Sequence, residues 1–257
     1  MTPISEGLSI DGVTVAFGGL IAVDGASLTA PRQRITGLIG PNGAGKTTLF
    51  NACTGLVRPR SGDVRLDGTP LGPLSPSRRA RLGLGRTFQR MELFDDLSVT
   101  ANVSLGREAG LAGASVLGQL VARRRESEEV ATATAEAIEL CGLTTIGDRP
   151  AGALSTGQRR LVELARALAG PFTILMLDEP SSGLDARETA LFGDILERVV
   201  AARDLGILLV EHDMTLVMRV CAYIHVLDFG QMIFEGLPED AQRSDVVRAA
   251  YLGSEAA

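Results

Sequence analysis

Apolar positions along this chain keep two rhythms. Continuous or alternating apolar runs occupy 8–17, 20–28, 35–39, 63–66, 172–177, 207–210, 223–227 and 232–234, a pattern that predicts β-strands. Apolar residues at three- and four-residue spacing predict helices over 46–54, 157–169, 186–202 and 214–220. Strands followed by helices imply a largely parallel sheet covered by helices. The stretch from about 87 to 169 breaks this alternation, being Ala-rich and helical with no convincing strand after Phe88. It is expected to form an inserted helical lobe, 88–169, between two parts of an α/β core, 1–87 and 170–257. Within it, Arg123, Arg124 and Arg125 followed by Glu126, Glu128 and Glu129 read as a solvated helix face with opposite charges one turn apart. The last residues, 253–257, are expected to fray.

Composition narrows the setting. A chain of 257 residues that is 45% hydrophobic can bury a substantial core. Its net charge of −6 argues against a nucleic-acid partner, because phosphate backbones are held by clustered Lys and Arg. No apolar run approaches the ~18–20 residues of a membrane-spanning helix, and Met1 to Glu6 lacks a signal-peptide pattern. A cytosolic location is expected. Cys53, Cys141 and Cys221 are far apart and outside any C-x-x-C pattern, which fits reduced, buried thiols. Of 25 basic residues, one is lysine, Lys46, and the other 24 are arginine.

That lysine sits in Gly40-Pro41-Asn42-Gly43-Ala44-Gly45-Lys46-Thr47, a match to G-x-x-x-x-G-K-[ST] directly after an apolar strand and directly before a helical pattern. Glycines at 43 and 45 allow backbone N–H groups to turn inward as an anion nest, and the following helix adds the positive end of its dipole. Lys46 would reach the β- and γ-phosphates of a nucleotide and Thr47 would coordinate Mg²⁺, with Thr48 beside it. A compact ammonium fits inside a loop that a planar guanidinium would overfill, which accounts for the exception to the arginine preference. This loop alone leaves kinases, GTPases and many ATPases open.

Downstream, Ile174-Leu175-Met176-Leu177-Asp178-Glu179 is an apolar strand ending in two carboxylates, a Walker B pattern with an added acid. Asp178 would hold Mg²⁺, and Glu179, on the opposite strand face, would polarise the attacking water. Leu154-Ser155-Thr156-Gly157-Gln158 precedes a helix and resembles the L-S-G-G-Q signature of the ABC ATPase family. Taken by itself, this segment reads equally as a capped helix start. Thr156 stands where the family has glycine, and a β-branched residue is strained wherever the backbone needs φ > 0.

Other positions match the family in order. Gln89, in Arg86-Thr87-Phe88-Gln89, resembles the Q-loop glutamine that senses the Mg²⁺ site. Ser182-Gly183-Leu184-Asp185 resembles the D-loop, His212 the switch histidine that contacts the γ-phosphate, and Phe17 the adenine-stacking aromatic. The second histidine, His225, lies in an apolar strand and is expected to be structural.

The resemblance covers nearly the whole chain. It implies a single ABC ATPase domain: a P-loop NTPase core of RecA-like type with a mostly parallel sheet, an antiparallel β region and an inserted helical subdomain. It also implies ATP and Mg²⁺, a catalytic set of Glu179, His212, Gln89 and Lys46, and a homodimer or heterodimer in which the signature of one subunit caps the other's ATP. The load would be a separate transmembrane permease, bound around 90–97 through Met91, Leu93 and Phe94, with an extracytoplasmic substrate-binding protein acting through it. The subunit would sit peripherally on the cytoplasmic face of a bacterial inner membrane.

Phe17 to Val23, Leu93-Phe94 through Asn102-Val103, and Tyr251-Leu252-Gly253 most resemble ATPases of branched-chain amino-acid uptake systems, although that subfamily often has Asn where this chain has Asp185. Urea, amide or lipid transport ATPases share much of the pattern. A soluble ABC ATPase is the competing class, but long coiled coils or fused ATPase pairs are missing from this sequence. A phosphate-loop kinase or GTPase leaves the signature segment unexplained.

Overall fold

The structure is a computed structural model and describes residues 6–87, 92–111 and 119–254. Strands β1 (Gly7–Phe17), β2 (Leu20–Pro31), β4 (Ser61–Leu66) and β5 (Thr69–Pro70) form an antiparallel sheet in the order β2-β1-β4-β5. A second sheet runs β10-β9-β3-β8-β7-β6, built from β3 (Ile35–Ile39), β6 (Leu84–Arg86), β7 (Ile174–Asp178), β8 (Gly206–Val210), β9 (Tyr223–Asp228) and β10 (Gln231–Gly236). Its neighbours are parallel except at the β9–β10 hairpin.

Every residue of β3, β7 and β8 is buried. Both faces of these strands are covered, so they read as unbroken apolar runs, and successive side chains enter different cores. Ile35, Leu175, Leu177, Ile207 and Leu209 join one core with helices α3 (Val99–Leu111), α4 (Gln119–Leu140), α5 (Thr156–Ala169), α6 (Ala186–Ala202) and α7 (Met214–Val220). Leu38, Ile174, Met176, Leu208 and Val210 join the other, where α1 (Lys46–Thr54) lies with the antiparallel sheet through Leu49, Phe50, Ala52 and Cys53. The three cysteines are buried and free, and burial pushes their thiols up to about 12.

Helices α3, α4 and α5 pack against one another. A Cβ at Gly106 would overlap the Arg166 carbonyl, so α3 and α5 approach to backbone contact there. Strands β5 and β6 and helices α2 (Pro76–Arg81), α8 (Pro238–Arg243) and α9 (Asp245–Ser254) fall outside the apolar pattern. All but α9 have between two and six residues, too few for either period to repeat convincingly. Helix α9 runs through Ser254, so 253 and 254 end a helix where a frayed tail was expected.

The parallel register carries β3, β8 and β7 side by side, with Leu38 opposite Val210 and Val210 opposite Asp178. The loops that leave their carboxyl ends therefore emerge together, at the edge where open α/β sheets bind ligands.

Candidate functional site

The loop leaving β3 is shaped by glycine. Gly43 (φ 80°) and Gly45 (φ 105°) are left-handed, and a Cβ at Gly45 would press on the Ala22 carbonyl. Gly45 stands at the N-cap of α1 and brings no capping side chain, so the leading N–H groups of the helix face the hollow of the loop. Gly40, backed by the Leu227 carbonyl, leaves equally little room for a side chain.

Lys46 is buried, and its Nζ donates to the carbonyls of Gly40 at 2.6 Å and Pro41 at 2.9 Å. Burial pushes its pKa down, opposed by the charges of Glu179 and Asp178. Asn42, Gly43, Ala44, Gly45, Lys46, Thr47 and Thr48 line a cavity of about 340 Å³ together with Glu179.

Asp178 ends β7 and is buried. Burial pushes its carboxyl pKa up, and the Arg86 guanidinium, 2.8 Å away, pulls it down. Glu179 follows directly on β7. Its φ of 49° turns the chain, its N–H stays bonded to the Val210 carbonyl at 2.9 Å, and its side chain lines the phosphate-loop cavity. A non-glycine residue in the left-handed region is strained, a cost that concentrates at functional sites.

His212, in the loop after β8, has Nδ1 3.9 Å from Glu179 Oε2. The adjacent Glu211 is fully buried, and its carboxylate accepts the N–H groups of Ser181 at 2.8 Å and His212 at 3.1 Å. It thereby ties the two loops that carry Glu179 and His212. Sequence reasoning missed Glu211 and Arg86 in these roles. An acid between an apolar strand and a histidine, where a strand pattern gives way to a loop, was the available signal.

Ser155 is exposed at the N-cap of α5 and shares a capping box with Gln158: its hydroxyl accepts the Gln158 N–H at 3.3 Å, and its own N–H donates to Gln158 Oε1 at 3.2 Å. Thr156 opens the helix and is not among the residues with positive φ, so the threonine carries no left-handed strain. Leu154 is buried, and a Cβ at Gly157 would overlap the Glu188 carboxylate. Glu188 belongs to a second capping box, in which the Asp185 carboxylate accepts the Glu188 N–H at 2.8 Å. Ser155 and Asp185 thus each open a capped helix. Among the described residues, 154–158 contribute nothing to the lining of the phosphate-loop cavity.

Gln89 and Met91 lie outside the described residues. Phe17 is half exposed and does not line the phosphate-loop cavity, whereas His225 is buried in β9. Leu93 and Phe94 line a separate cavity of about 520 Å³ with Arg86, Glu163, Arg166 and Phe172. The loop carrying Phe94 is organised by buried Asn102, whose side chain accepts the Phe94 N–H at 2.9 Å and donates to the carbonyls of Phe94 and Leu97 at 3.0 and 3.2 Å.

The model of the ABC transporter family matches residues 23–182. The chain belongs to the ABC transporter family. This ABC protein is 38% identical over 248 residues to the high-affinity branched-chain amino acid transport ATP-binding protein BraF of Pseudomonas aeruginosa, covering 96% of this chain and 97% of that one. Identity and coverage are the same for LivG of Escherichia coli strain K12, which has the same description. The crystal structure of the ADP conformation of an ATP-binding cassette of an ABC transporter superimposes with a TM-score of 0.84 at 29% identity, over 96% of this chain and 99% of that one. The protein is an ABC-type transport ATPase of P-loop NTPase fold, the ATP-binding subunit of a transporter. Such subunits work with transmembrane permease components. Among its described residues, no helix is long and apolar enough to cross a membrane.

Proposed function

We propose that this subunit hydrolyses Mg²⁺·ATP at the cavity over Gly40 to Thr48 and thereby powers import of branched-chain or related amino acids through a separate permease. The observation that carries the reading is convergence: Lys46, Thr47 and Glu179 line one cavity, and His212 stands 3.9 Å from Glu179. The loop N–H groups and Lys46 neutralise the phosphates. Glu179 takes the proton as water attacks the γ-phosphorus; the new P–O bond forms as the bond to the β-phosphate oxygen breaks, giving ADP and phosphate. Strained into the cavity by its left-handed turn, Glu179 is held ready for that proton, and His212 positions it and the γ-phosphate.

Thr47 and Asp178 would hold Mg²⁺, with Gln89 added by the family resemblance. Among the described residues no cluster of three or more His, Cys, Asp or Glu could hold a metal. One hydroxyl and one buried carboxylate suit an ion that completes its shell with phosphate oxygens and water, as Mg²⁺ does. When bound, it offsets the charge that develops on those oxygens.

Residues 88–169 act as the helical subdomain, and the cavity beside Phe94 takes the permease. Ser155 and the α5 N-terminus cap the nucleotide of a second ATPase subunit, identical or related. An extracytoplasmic binding protein delivers the substrate, and the subunit works peripherally on the cytoplasmic face of the inner membrane. The amino-acid assignment is supported by the match to BraF and LivG along almost their full lengths.

The test replaces Glu179 by Gln. ATP turnover should fall by at least about 100-fold, the usual worth of a general base, with ATP binding retained. Uptake of labelled leucine by cells that depend on this subunit should fall with it. Unchanged hydrolysis refutes the base, and unchanged leucine uptake with hydrolysis abolished refutes the substrate.

A further inference from the structure

Strand β8 ends at Val210, and its ladder with β7 ends where Asp178 pairs with Val210. Glu179 stands just past that end with a φ of 49°. A left-handed residue other than glycine persists only where its surroundings over-determine it, so Glu179 needs a brace on both sides. On the amino side the brace is backbone: the Glu179 N–H donates to the Val210 carbonyl at 2.9 Å. On the carboxyl side it is the side chain of the residue after Val210. Glu211 Oε1 accepts the Ser181 N–H at 2.8 Å. The carboxylate thereby continues the pairing of the two chain segments beyond the last pair of the ladder.

Its second oxygen holds the other loop. Glu211 Oε2 accepts the His212 N–H at 3.1 Å and, more weakly, the Asp213 N–H at 3.5 Å. His212 Nδ1 lies within 4.0 Å of both Glu211 Oε2 and Glu179 Oε2. Glu211 is fully buried, so these N–H groups stand in for the water its carboxylate has lost. A glutamine would fill the same space at a smaller desolvation cost, but only a carboxylate offers an acceptor at both ends. A buried acid at this position is accounted for by a task that needs two acceptors.

We infer that Glu211 is a positioning residue for ATP hydrolysis: with one oxygen on Ser181 and the other on His212, it fixes Glu179 in place against His212. Glu211 itself does not line the phosphate-loop cavity. The inference rests on the reading of Glu179 as the base.

The experiment uses the full chain, with single-turnover hydrolysis of Mg²⁺·ATP and equilibrium binding of Mg²⁺·ADP as readouts. In Glu211→Gln one end of the side chain becomes a donor. Whichever way the amide turns, the N–H of either Ser181 or His212 loses its acceptor. Hydrolysis should slow about tenfold or more, since a displacement of about 1 Å at a reacting group costs up to about 100-fold, while ADP affinity stays within about twofold. Glu211→Asp keeps two acceptors on a stem one methylene shorter, should show the same loss, and carries the test if the amide variant does not fold. The deciding comparison is made in the Glu179→Gln background. There Glu211→Gln should slow hydrolysis by no more than about a further twofold, because the group it positions is already gone. An equal fold-loss in both backgrounds marks a structural role and overturns the inference. So does an unchanged rate in the single variants, or a matching loss of ADP affinity, which would place the effect on the phosphate loop. If neither variant folds well enough to bind ADP, Glu211 serves folding and the inference is likewise overturned. If Glu179→Gln alone hydrolyses like wild type, the base reading falls first and this inference with it.

Discussion

Arg86 shows how a single side chain joins parts of the site that the sequence holds far apart. Its Nη1 donates to Asn51 Oδ1 at 2.6 Å, its Nη2 to Asp178 Oδ2 at 2.8 Å, and its guanidinium lies 5.6 Å from the Phe50 ring centroid. Helix α1, strand β6 and strand β7 are thus locked around the Walker B carboxylate. Asp178 is buried and Arg86 nearly so, and removing Arg86 leaves Lys46 as the cation acting on that carboxylate. Arg86→Ala should lower unfolding free energy by about 3–5 kcal/mol, measured by urea denaturation without nucleotide. Arg86→Lys should recover only part of this, because an ammonium cannot reproduce the planar fork and ring contact; full stability in either variant refutes the lock. The motif Arg86-Thr87-Phe88-Gln89 was legible in the sequence, but the partners of Arg86 were not. They lie 35 and 92 positions away, and only the strand order brings them together.

At the scale of elements, the helix behind the phosphate loop depends on a segment with no apolar pattern. Arg79, in polar α2, is buried, and its Nη1 donates to the Ala52 and Cys53 carbonyls at 2.8 and 2.6 Å. These carbonyls belong to the last turn of α1, which carries the negative end of the helix dipole; the Ala52 carbonyl also accepts the Gly55 N–H at 3.3 Å. Gly55 completes the arrangement, since a Cβ there would press on the Arg79 side chain. Arg79→Met keeps the stem and removes the donors. It should destabilise the fold by at least about 2 kcal/mol, the scale of hydrogen bonds from charged donors, and a thermal midpoint within error of wild type would count against the cap. Strands β3, β7 and β8 were legible because burial on both faces demands apolar residues throughout. Helix α2 was not, because a short polar helix held by one buried cation leaves no periodic trace.

At the scale of the whole molecule, the cavity over the phosphate loop receives its lining from β2, the loops after β3 and β7, the start of α1 and the β9–β10 turn, while the capped start of α5 presents Ser155 to solvent. The Glu179→Gln protein should therefore form an ATP-dependent dimer on size-exclusion chromatography. Ser155→Arg in that background should abolish the dimer while leaving monomer nucleotide affinity within about twofold, because Ser155 lines no part of its own phosphate-loop cavity. A dimer that survives Ser155→Arg, or one that never forms with ATP, refutes the two-subunit site. By itself the sequence determined the ABC transporter family and its P-loop NTPase fold, because the motifs that point to them are made of residues that are neighbours in the chain. Tertiary structure decided the rest: that Glu179 lines the cavity of the loop after β3, that Glu211 ties the loops after β7 and β8, and that Arg86 joins α1 to β7. Those relations arise from strand order and parallel register, which place residues distant in sequence within hydrogen-bonding reach, and no local pattern encodes them.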